Sequence, residues 1–388
     1  MDITIHPRTL RGDVEVIPSK SIAHRYLICA AFADNETTLV CPETNRDIEA
    51  TVDCLNALGA EIRRTCNGYE ITPVSVIPET ATLNCCESGS TLRFMLPIVG
   101  ALGVDATFQM AGRLPQRPLS PLWEEMERMG CILTRPTTDT IRCTGKLKSG
   151  NYSIDGGVSS QFITGLILAQ CLIQGDCDLE LTGKVESMPY INLTLAARKL
   201  FSAPNFHSPG TVTVEGDWSN GAFWLAARAL GSELDVRNLN SDSLQGDQQA
   251  ASLLRELKDN IVIDARDIPD LVPILSVVAG ANQGAVFMNV QRLRLKESDR
   301  VASTIAMIEN LGGKAMEAGG HLVVWGTGFT GGTVDSVNDH RIAMAAAIAA
   351  TVCKTDVTIL GAECVKKSYP KFWEEYARLG GNYELNVR

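Results

Sequence analysis

Six segments of the chain share one pattern, in which a polar opening is followed by an apolar helix-like run, a Gly or Asn turn and a short strand. The six openings lie at Ser19, Ser88, Ser159, Asp217, Asp267 and Asn338. The strand-like segments that follow are rich in alternating or β-branched residues and lie at Ala106–Met110, Cys177–Gly183, Glu233–Leu239, Ala285–Val290 and Asp356–Leu360. This pattern predicts repeated helix–turn–strand units and an α/β fold.

More polar, amphipathic helices are predicted between these runs. Three of them end in a similar Leu-Gly turn, within Asn56–Ile62, Glu309–Met316 and Ala377–Leu385. A Gly just past a helix supplies the left-handed residue that ends it, so a strand can follow. The apolar helices should be buried, and their amphipathic partners should face water on one side.

The six units divide into three plus three, separated by the Pro- and Gly-bearing stretch Ser202–Gly216. We therefore expect two similar α/β domains, one of residues 20–216 and one of residues 1–19 with 217–388. The strand-like segment Ile3–Pro7 precedes the first repeat and is expected to pair into the second domain's sheet, so that the chain crosses twice at a hinge. The alternative is one α/β domain whose repetition is only a common helix–turn–strand rhythm.

Composition supports a globular protein of more than one core. The 388 residues are 45% hydrophobic and 21% charged, which excludes a disordered chain. A net charge of −10 argues against a dedicated nucleic-acid binder. The chain shows no membrane-spanning run, no signal core, no CxxC motif and no zinc-like Cys/His cluster, so a cytoplasmic protein without nucleic-acid or membrane partners is expected.

The polar openings carry the candidate chemistry, because helix N-termini offer unpaired N–H groups and a partial positive charge to anions. In the first half the candidates are Lys20, Ser21 and Arg25, the small-residue turn at Gly89, Arg117 before a proline, the donors Ser159, Ser160 and Gln161, and Ser187 with Tyr190. Each of these alone is also typical of an ordinary capped helix start or a solvated charge. Their recurrence at successive helix starts favours a site for several anions.

The second half adds carboxylates. Asp267 and Asp270 lie at the start of an apolar run, where one can cap a helix and the other is a candidate general base. Lys296, Glu297 and Arg300 lie together, although the alternative there is a salt-bridged helix start capped by Ser298. The remaining candidates are Arg341, His340 and Lys367. The five His residues are isolated, the Walker loop is absent, and Gly326–Gly331 is interpreted as a turn and not as a dinucleotide fingerprint.

The ordered motifs resemble those of the enolpyruvyl transferases, and within them the branch that acts on shikimate 3-phosphate. They are PSKSIAHR, ESGSTLRF, QRP, VSSQF, SMPY, GDWS, DIPD, LKESDR, NDHRIAM and KKSYP, spanning about Pro18 to Pro370. The resemblance implies two hinged domains, each of three βαβαββ units arranged as an inside-out α/β barrel, which close on substrate. It also implies transfer of the enolpyruvyl group of phosphoenolpyruvate to the 5-hydroxyl of shikimate 3-phosphate, with release of phosphate and no cofactor or metal.

The resemblance also assigns roles. The residues implied for shikimate 3-phosphate are Lys20, Ser21, Arg25, Ser159, Ser160, Gln161, Ser187, Tyr190, Asp270 and Lys296. Those implied for phosphoenolpyruvate are Lys20, Gly89, Arg117, Gln161, Arg300, Arg341 and Lys367. Asp270 is implied as the base for the hydroxyl, Glu297 and Lys20 as proton-transfer groups, and His340 as a helper. A monomer is expected.

The chain departs from the family pattern at several positions. Pro18, Ala23 and Ser90 replace Gly, Ser and Thr, and Glu87 replaces an Asn. Glu87 is the most serious departure, because an unpaired carboxylate near two anionic substrates would repel them.

Three alternatives remain open. One is the related transferase for UDP-N-acetylglucosamine, although Ser21 follows Lys20 where Asn is expected and the loop Pro115–Pro118 lacks a reactive Cys. Another is a non-catalytic, ring- or clamp-like binding protein built from such repeats, which would need a basic surface. The third is a catalytically inactive paralogue, for which Glu87 is the main argument.

Overall fold

The computed structural model describes residues 1–386. Their contacts divide the chain into two compact units, Pro18–Glu215 (the first unit) and Met1–Ile17 with Gly216 onward (the second unit). The chain passes from one unit to the other twice, after Ile17 and after Glu215. The structure has the mixed α/β character that the sequence predicts.

The first unit holds six α-helices and ten strands. Its helices are α1 Lys20–Ala31, α2 Arg46–Ala57, α3 Gly89–Leu102, α4 Leu122–Arg128, α5 Ser160–Ala169 and α6 Met188–Leu200. Its strands are β3 Thr37–Val40, β4 Glu61–Thr65, β5 Gly68–Thr72, β6 Thr80–Asn84, β7 Asp105–Gln109, β8 Cys131–Thr134, β9 Thr140–Gly145, β10 Gly150–Asp155, β11 Cys177–Thr182 and β12 Thr211–Thr213. They form the sheets β12-β3-β5-β4, β6-β7-β9-β8 and β10-β11.

The second unit repeats this plan. Its strands are β1 Asp2–His6, β2 Arg11–Glu15, β13 Glu233–Arg237, β14 Ile261–Asp264, β15 Gly284–Met288, β16 Lys314–Ala318, β17 His321–Trp325, β18 Gly332–Asp335, β19 Val357–Leu360 and β20 Asn382–Asn386. Its helices are α7 Trp218–Ala229, α8 Ala250–Glu256, α9 Val272–Ala281, α10 Arg300–Asn310, α11 His340–Ala349 and α12 Phe372–Arg378. The sheets are β18-β19-β1-β20, β14-β15-β17-β16 and β13-β2.

The N-terminal strand lies in a sheet of the second unit. β1 runs antiparallel to both neighbours, with Ile3 opposite Ile359 of β19 and Leu385 of β20. Ile3 and Ile5 are fully buried. This is the pairing that the strand-like segment Ile3–Pro7 predicts.

The apolar runs form the central helices of each unit, as predicted. α3 and α5 of the first unit are buried over nearly their whole length, as are α9 and α11 of the second. The predicted Leu-Gly ends are also confirmed, since Gly59, Gly312 and Gly380 follow helices with φ values of 101°, 82° and 92°. No helix in residues 1–386 is long and apolar enough to cross a bilayer.

One predicted helix start is wrong. The fifth apolar helix begins at Val272 with Leu271 as its cap residue, so neither Asp267 nor Asp270 caps it. Pro269 disfavours helical geometry at the residue before it, and Pro273 is well placed in a first turn. The two carboxylates therefore lie in the turn that leads into the helix.

Candidate functional site

Lys20, at the start of α1, forms a largely buried ion pair. Its Nζ lies 2.8 Å from Oδ2 of Asp47, and the two side chains are 14% and 7% exposed. Asp47 lies in the first turn of α2, whose cap Asn45 accepts a hydrogen bond from the backbone N–H of Ile48. The sequence predicts Lys20 at a site, but its anionic partner was missed because a first-turn Asp is also typical of any helix.

Arg25 lies one turn further along α1 and is buried among three helices. Its guanidinium donates to the hydroxyls of Thr194 (2.9 Å) and Thr164 (3.2 Å) and to the backbone oxygens of Tyr190 (2.8 Å) and Ser21 (2.5 Å). Burial lowers the pKa of Arg25 to about 10. Arg25 thus fixes the predicted residues Ser21 and Tyr190 relative to each other.

Gly89 begins α3 beneath two arginines. A Cβ built on Gly89 would lie 2.6 Å from Nη1 of Arg117 and 2.8 Å from Nη1 of Arg93, so a larger residue there would displace both guanidinium groups. Ser88 caps the helix by accepting from the Thr91 N–H. Two guanidinium groups beside a helix N-terminus make an anion site.

Arg93 is a residue that the sequence analysis missed. It is 3% exposed and donates to Oε1 of Gln161 (2.6 Å) and to the backbone oxygen of Pro118 (3.2 Å). Gln161 in turn donates to Oγ of Ser90 at 2.9 Å. The charge of Arg93 within an otherwise apolar helix is the signal that could have found it, because such a charge is rarely buried without a partner.

The predicted serines lie at the starts of α5 and α6. Ser159 caps α5 by accepting from the Gln161 N–H at 3.3 Å, and Ser160 is buried behind it. Ser187 is the cap residue of α6 and is also buried, with a left-handed φ of 57°. Left-handed backbone at a non-glycine residue is strained and is often found at functional sites.

Glu87, the departure of most concern, is half-buried and points toward the loop that leads to Arg117. Its carboxyl carbon and Oε2 lie 2.6 and 2.7 Å from where a Cβ on Gly112 would be. Gly112 has a left-handed φ of 57°, a backbone conformation that favours glycine.

In the second unit, Asp270 is surrounded by cations. Its carboxylate accepts from Arg300 Nη1 (2.6 Å) and Arg341 Nη2 (3.1 Å), and Lys296 Nζ lies 3.3 Å away. Burial would raise the pKa of Asp270, but the charges of Arg341, Lys296 and Arg300 hold it well below its ordinary value. Asp270 is therefore ionised at neutral pH.

Arg300 is the centre of this cluster and is only 1% exposed. Besides Asp270 it contacts Oε2 of Glu297 at 2.6 Å and Oδ2 of Asp339 at 2.8 Å. Burial lowers the pKa of Arg300, but the charges of Asp339, Glu297 and Asp270 outweigh it and raise that pKa well above the usual value. The Arg300 guanidinium thus contacts the predicted site residues Asp270 and Glu297, and also Asp339, which was not among the predicted site residues.

Asp339 and Asp299 cap the two helices of this region. Asp339 accepts from the Arg341 N–H at 3.0 Å and from Ser298 Oγ at 2.9 Å, so Arg341 and Ser298 are both oriented by it. Asp299 caps α10 by accepting from the Ala302 N–H. The interpretation of Ser298 as the cap of that helix is therefore wrong.

Asp247 is a second missed residue. It is 3% exposed in the short turn before α8 and accepts a hydrogen bond from Ser219 Oγ. Burial, the neighbouring charge of Asp270 and, to a lesser degree, Asp217 raise the pKa of Asp247 to about 7, against the opposing effects of Arg341 and Ser219. Asp247 lies in an irregular polar stretch, where no helical or strand periodicity marks it in the sequence.

His340 and Lys367 are both buried, at 1% and 9% exposure. Nδ1 of His340 lies 4.0 Å from Oδ1 of Asp339, at the N-terminus of α11. Lys367 ends a 3₁₀ turn, and the Ser368 that follows it accepts from Asn220 of α7 at 3.2 Å. Within residues 1–386, no group of three or more His, Cys, Asp or Glu residues could hold a metal ion.

Comparison with known proteins decides the family. A profile of the EPSP synthase (3-phosphoshikimate 1-carboxyvinyltransferase) family matches residues 5–376. The chain belongs to this family. Among similar proteins, the 3-phosphoshikimate 1-carboxyvinyltransferases of Clostridium kluyveri and Clostridium acetobutylicum are each 36% identical to it, over 98% of this chain and 98% and 97% of theirs.

Solved structures show the same fold. An EPSP synthase from Acinetobacter baumannii matches with a TM-score of 0.80 at 21% identity, covering 100% of both chains. The enolpyruvyl transferase NikO from Streptomyces tendae matches with a TM-score of 0.75 at 15% identity, over 100% of this chain and 99% of that one. These structures confirm the predicted α/β fold, and the family profile with the 36% identical relatives confirms the predicted family and reaction class.

Proposed function

We propose that this chain transfers the enolpyruvyl group of phosphoenolpyruvate to the 5-hydroxyl of shikimate 3-phosphate and releases phosphate, in aromatic amino acid biosynthesis. The observation that carries the proposal is the family match from residue 5 to residue 376. The proposal also includes small-molecule substrates, no cofactor, a monomer and a cytoplasmic location.

The two units take different parts in this reaction. The first unit holds most of the residues that we assign to shikimate 3-phosphate, and the second unit holds most of the cations that we assign to phosphoenolpyruvate. The first substrate contacts Lys20, Ser21, Arg25, Ser159, Ser160, Gln161, Ser187, Tyr190, Asp270 and Lys296. The second contacts Lys20, Gly89, Arg117, Gln161, Arg300, Arg341 and Lys367.

The arginine pair at Gly89 supports this assignment. Phosphoenolpyruvate carries a phosphate and a carboxylate, and guanidinium groups bind both bidentately. Arg117 and Arg93 converge on Gly89, the first residue of α3, and helix N-termini favour anions. A side chain at residue 89 would displace the two guanidinium groups.

Asp270 takes the proton of the 5-hydroxyl as its oxygen attacks C2 of phosphoenolpyruvate. In the substrate-free cluster Asp270 is a weak base, because three cations stabilise its charge. Substrate anions on Arg300, Arg341 and Lys296 offset that positive charge, and the pKa of Asp270 then rises toward that of a useful base. Substrate binding therefore activates the base.

Glu297 and Lys20 carry the remaining proton transfers. Addition needs a proton at C3, the methylene carbon of phosphoenolpyruvate, and elimination removes one from the same carbon while phosphate leaves with a proton. Glu297, held by Arg300 at 2.6 Å, enters the addition with a proton taken from solvent, gives it to C3 and takes one back from the same carbon in the elimination. Lys20, an ammonium held by Asp47, donates a proton to the leaving phosphate, and the proton that Asp270 took from the hydroxyl is returned to Lys20 through solvent, so that the cycle balances.

Phosphate release tests the function. The protein is incubated with phosphoenolpyruvate and either shikimate 3-phosphate or UDP-N-acetylglucosamine. We expect phosphate only with shikimate 3-phosphate. Release only with the UDP-sugar would assign the chain to the related transferase, and release with neither acceptor would favour an inactive paralogue.

A further inference from the structure

A chain of buried polar side chains crosses the first unit behind the candidate site. His24 in α1, Thr51 in α2 and Thr91 in α3 are at most 1% exposed. His24 Nδ1 lies 2.7 Å from Thr51 Oγ1, and Thr51 Oγ1 lies 2.8 Å from Thr91 Oγ1. The three residues link the N-terminal halves of three helices, and none of them faces a substrate in the function proposed above.

The chain ends at the two groups that the proposed function uses. Thr91 Oγ1 lies 2.7 Å from Ser88 Oγ, next to Gly89, and 3.3 Å from the backbone oxygen of Asp47. The Asp47 carboxylate in turn pairs with Lys20 at 2.8 Å. One threonine hydroxyl is therefore in contact with both the helix cap before Gly89 and the residue that holds Lys20.

The network has an energetic cost that packing does not explain. Burial lowers the pKa of His24 to about 3, with Lys20 and Arg25 acting in the same direction and Asp47 in the opposite one, so the imidazole is neutral. Nε2 of His24 is buried and has no hydrogen-bond partner among residues 1–386. An apolar side chain would avoid that cost, so a buried histidine in this place calls for another role.

We infer that His24, Thr51 and Thr91 are positioning residues, which hold the Lys20–Asp47 pair in place relative to Gly89. The inference rests on the proposed function for its catalytic consequence, but the geometry it describes is measurable without turnover. Hydroxyls with fixed partners set the relative position of three helix starts more sharply than apolar contacts do, because hydrogen bonds are directional.

The decisive variant is Thr51→Val, which keeps the size of the side chain and removes both hydrogen bonds. Amine labelling with a limiting amount of acetic anhydride, quantified by peptide mass spectrometry, reports how firmly each lysine is held. We expect labelling of Lys20 to rise about fivefold, as for the loss of one net hydrogen bond. Lys296 is the internal control, since it is also largely buried and paired with a carboxylate but lies in the second unit.

Selective labelling separates positioning from general loss of stability. Equal labelling of Lys20 in the variant and the wild type would overturn the inference, and so would a matching rise at Lys296. Thr51→Ser keeps the hydroxyl and should return the labelling of Lys20 to the wild-type level. Thr304→Val is the matched control and should leave Lys20 labelling unchanged, because in the part of the chain that the structure describes its buried hydroxyl has no hydrogen-bond partner. If Thr51→Val does not fold, Thr91→Val is labelled in its place, and the labelling of Lys20 relative to Lys296 decides in the same way.

Kinetics measured in parallel connect the inference to the reaction. We expect Thr51→Val to raise KM for phosphoenolpyruvate roughly tenfold and also to lower kcat, because Lys20 is assigned both to substrate binding and to proton transfer. Partial unfolding would lower kcat and leave KM unchanged, which would count against positioning. A wild-type protein with no turnover but with Lys20 selectively exposed in Thr51→Val would refute the proposed function and leave the positioning role intact.

Discussion

Asp270→Asn tests the centre of the second-unit cluster. The substitution keeps the shape of the side chain but leaves three cations, at 2.6, 3.1 and 3.3 Å from the carboxylate oxygens, without their shared anion. Removing one partner of a buried ion pair costs about 3–5 kcal/mol. Because Asp270 is 17% exposed, the lower end applies, about 3 kcal/mol. For a unit of this size, that lowers the melting temperature by roughly 6–12 °C.

The same variant should lose at least ~100-fold in turnover if Asp270 is the general base. Its substrate affinity should not fall in parallel, because the freed cations attract anions more strongly. Calorimetry with and without inorganic phosphate checks this, and phosphate should raise the melting temperature of the variant more than that of the wild type.

Asp264→Asn is the matched control for both measurements. Asp264 is also paired with an arginine, Arg266, but it is 35% exposed, so its loss should cost under ~1 kcal/mol and leave turnover unchanged. Near-wild-type turnover in Asp270→Asn would remove Asp270 from the mechanism. An unchanged melting temperature would show that the three cations do not depend on it.

Three further predictions concern other parts of the molecule. Lys20→Met should lose at least ~100-fold in the rate of phosphate release. Lys314→Met is the control and should not, since Lys314 lies over the ring of Trp325 and has no assigned role in the reaction. Asp247→Asn should raise the melting temperature at pH 8 and do so less at pH 5. The folded state keeps a proton on Asp247 up to about pH 7, so the wild type loses this contribution as the pH rises, and a neutral amide does not. Small-angle scattering should show a smaller radius of gyration with both substrates, and an unchanged radius would argue against closure.

Much of the fold is predictable from the apolar runs, because a helix that is apolar all round has to be buried. α3 and α11 follow this rule, and their caps Ser88 and Asp339 lie within one residue of the predicted openings. The start of α9 does not follow the polar opening at Asp267, because Pro269 and Pro273 place the first turn of the helix at Val272. Local backbone restriction overrides the polar–apolar boundary there.

The site was predictable as a set of residues but not as a set of contacts. Asp270 and Arg300 were both identified from short motifs, but the pairing of Arg300 with Asp339 joins positions 39 residues apart. No periodicity in a single sequence contains that information. Arg93 was missed for a related reason, because its partner Gln161 belongs to another helix.

The pairing of cations with neighbouring carboxylates explains how a chain with a net negative charge can contain a site for anions. Lys20 is held by Asp47, and Arg300 by Glu297, Asp339 and Asp270, so these two cations that we assign to substrate are already partly neutralised. Binding two anionic substrates then adds negative charge beside existing carboxylates. The carboxylate that can relieve this repulsion by accepting a proton is also the one assigned to take the hydroxyl proton, Asp270. In the mechanism that we propose, substrate binding and base activation are thus one electrostatic event, and a more basic protein would lack that coupling.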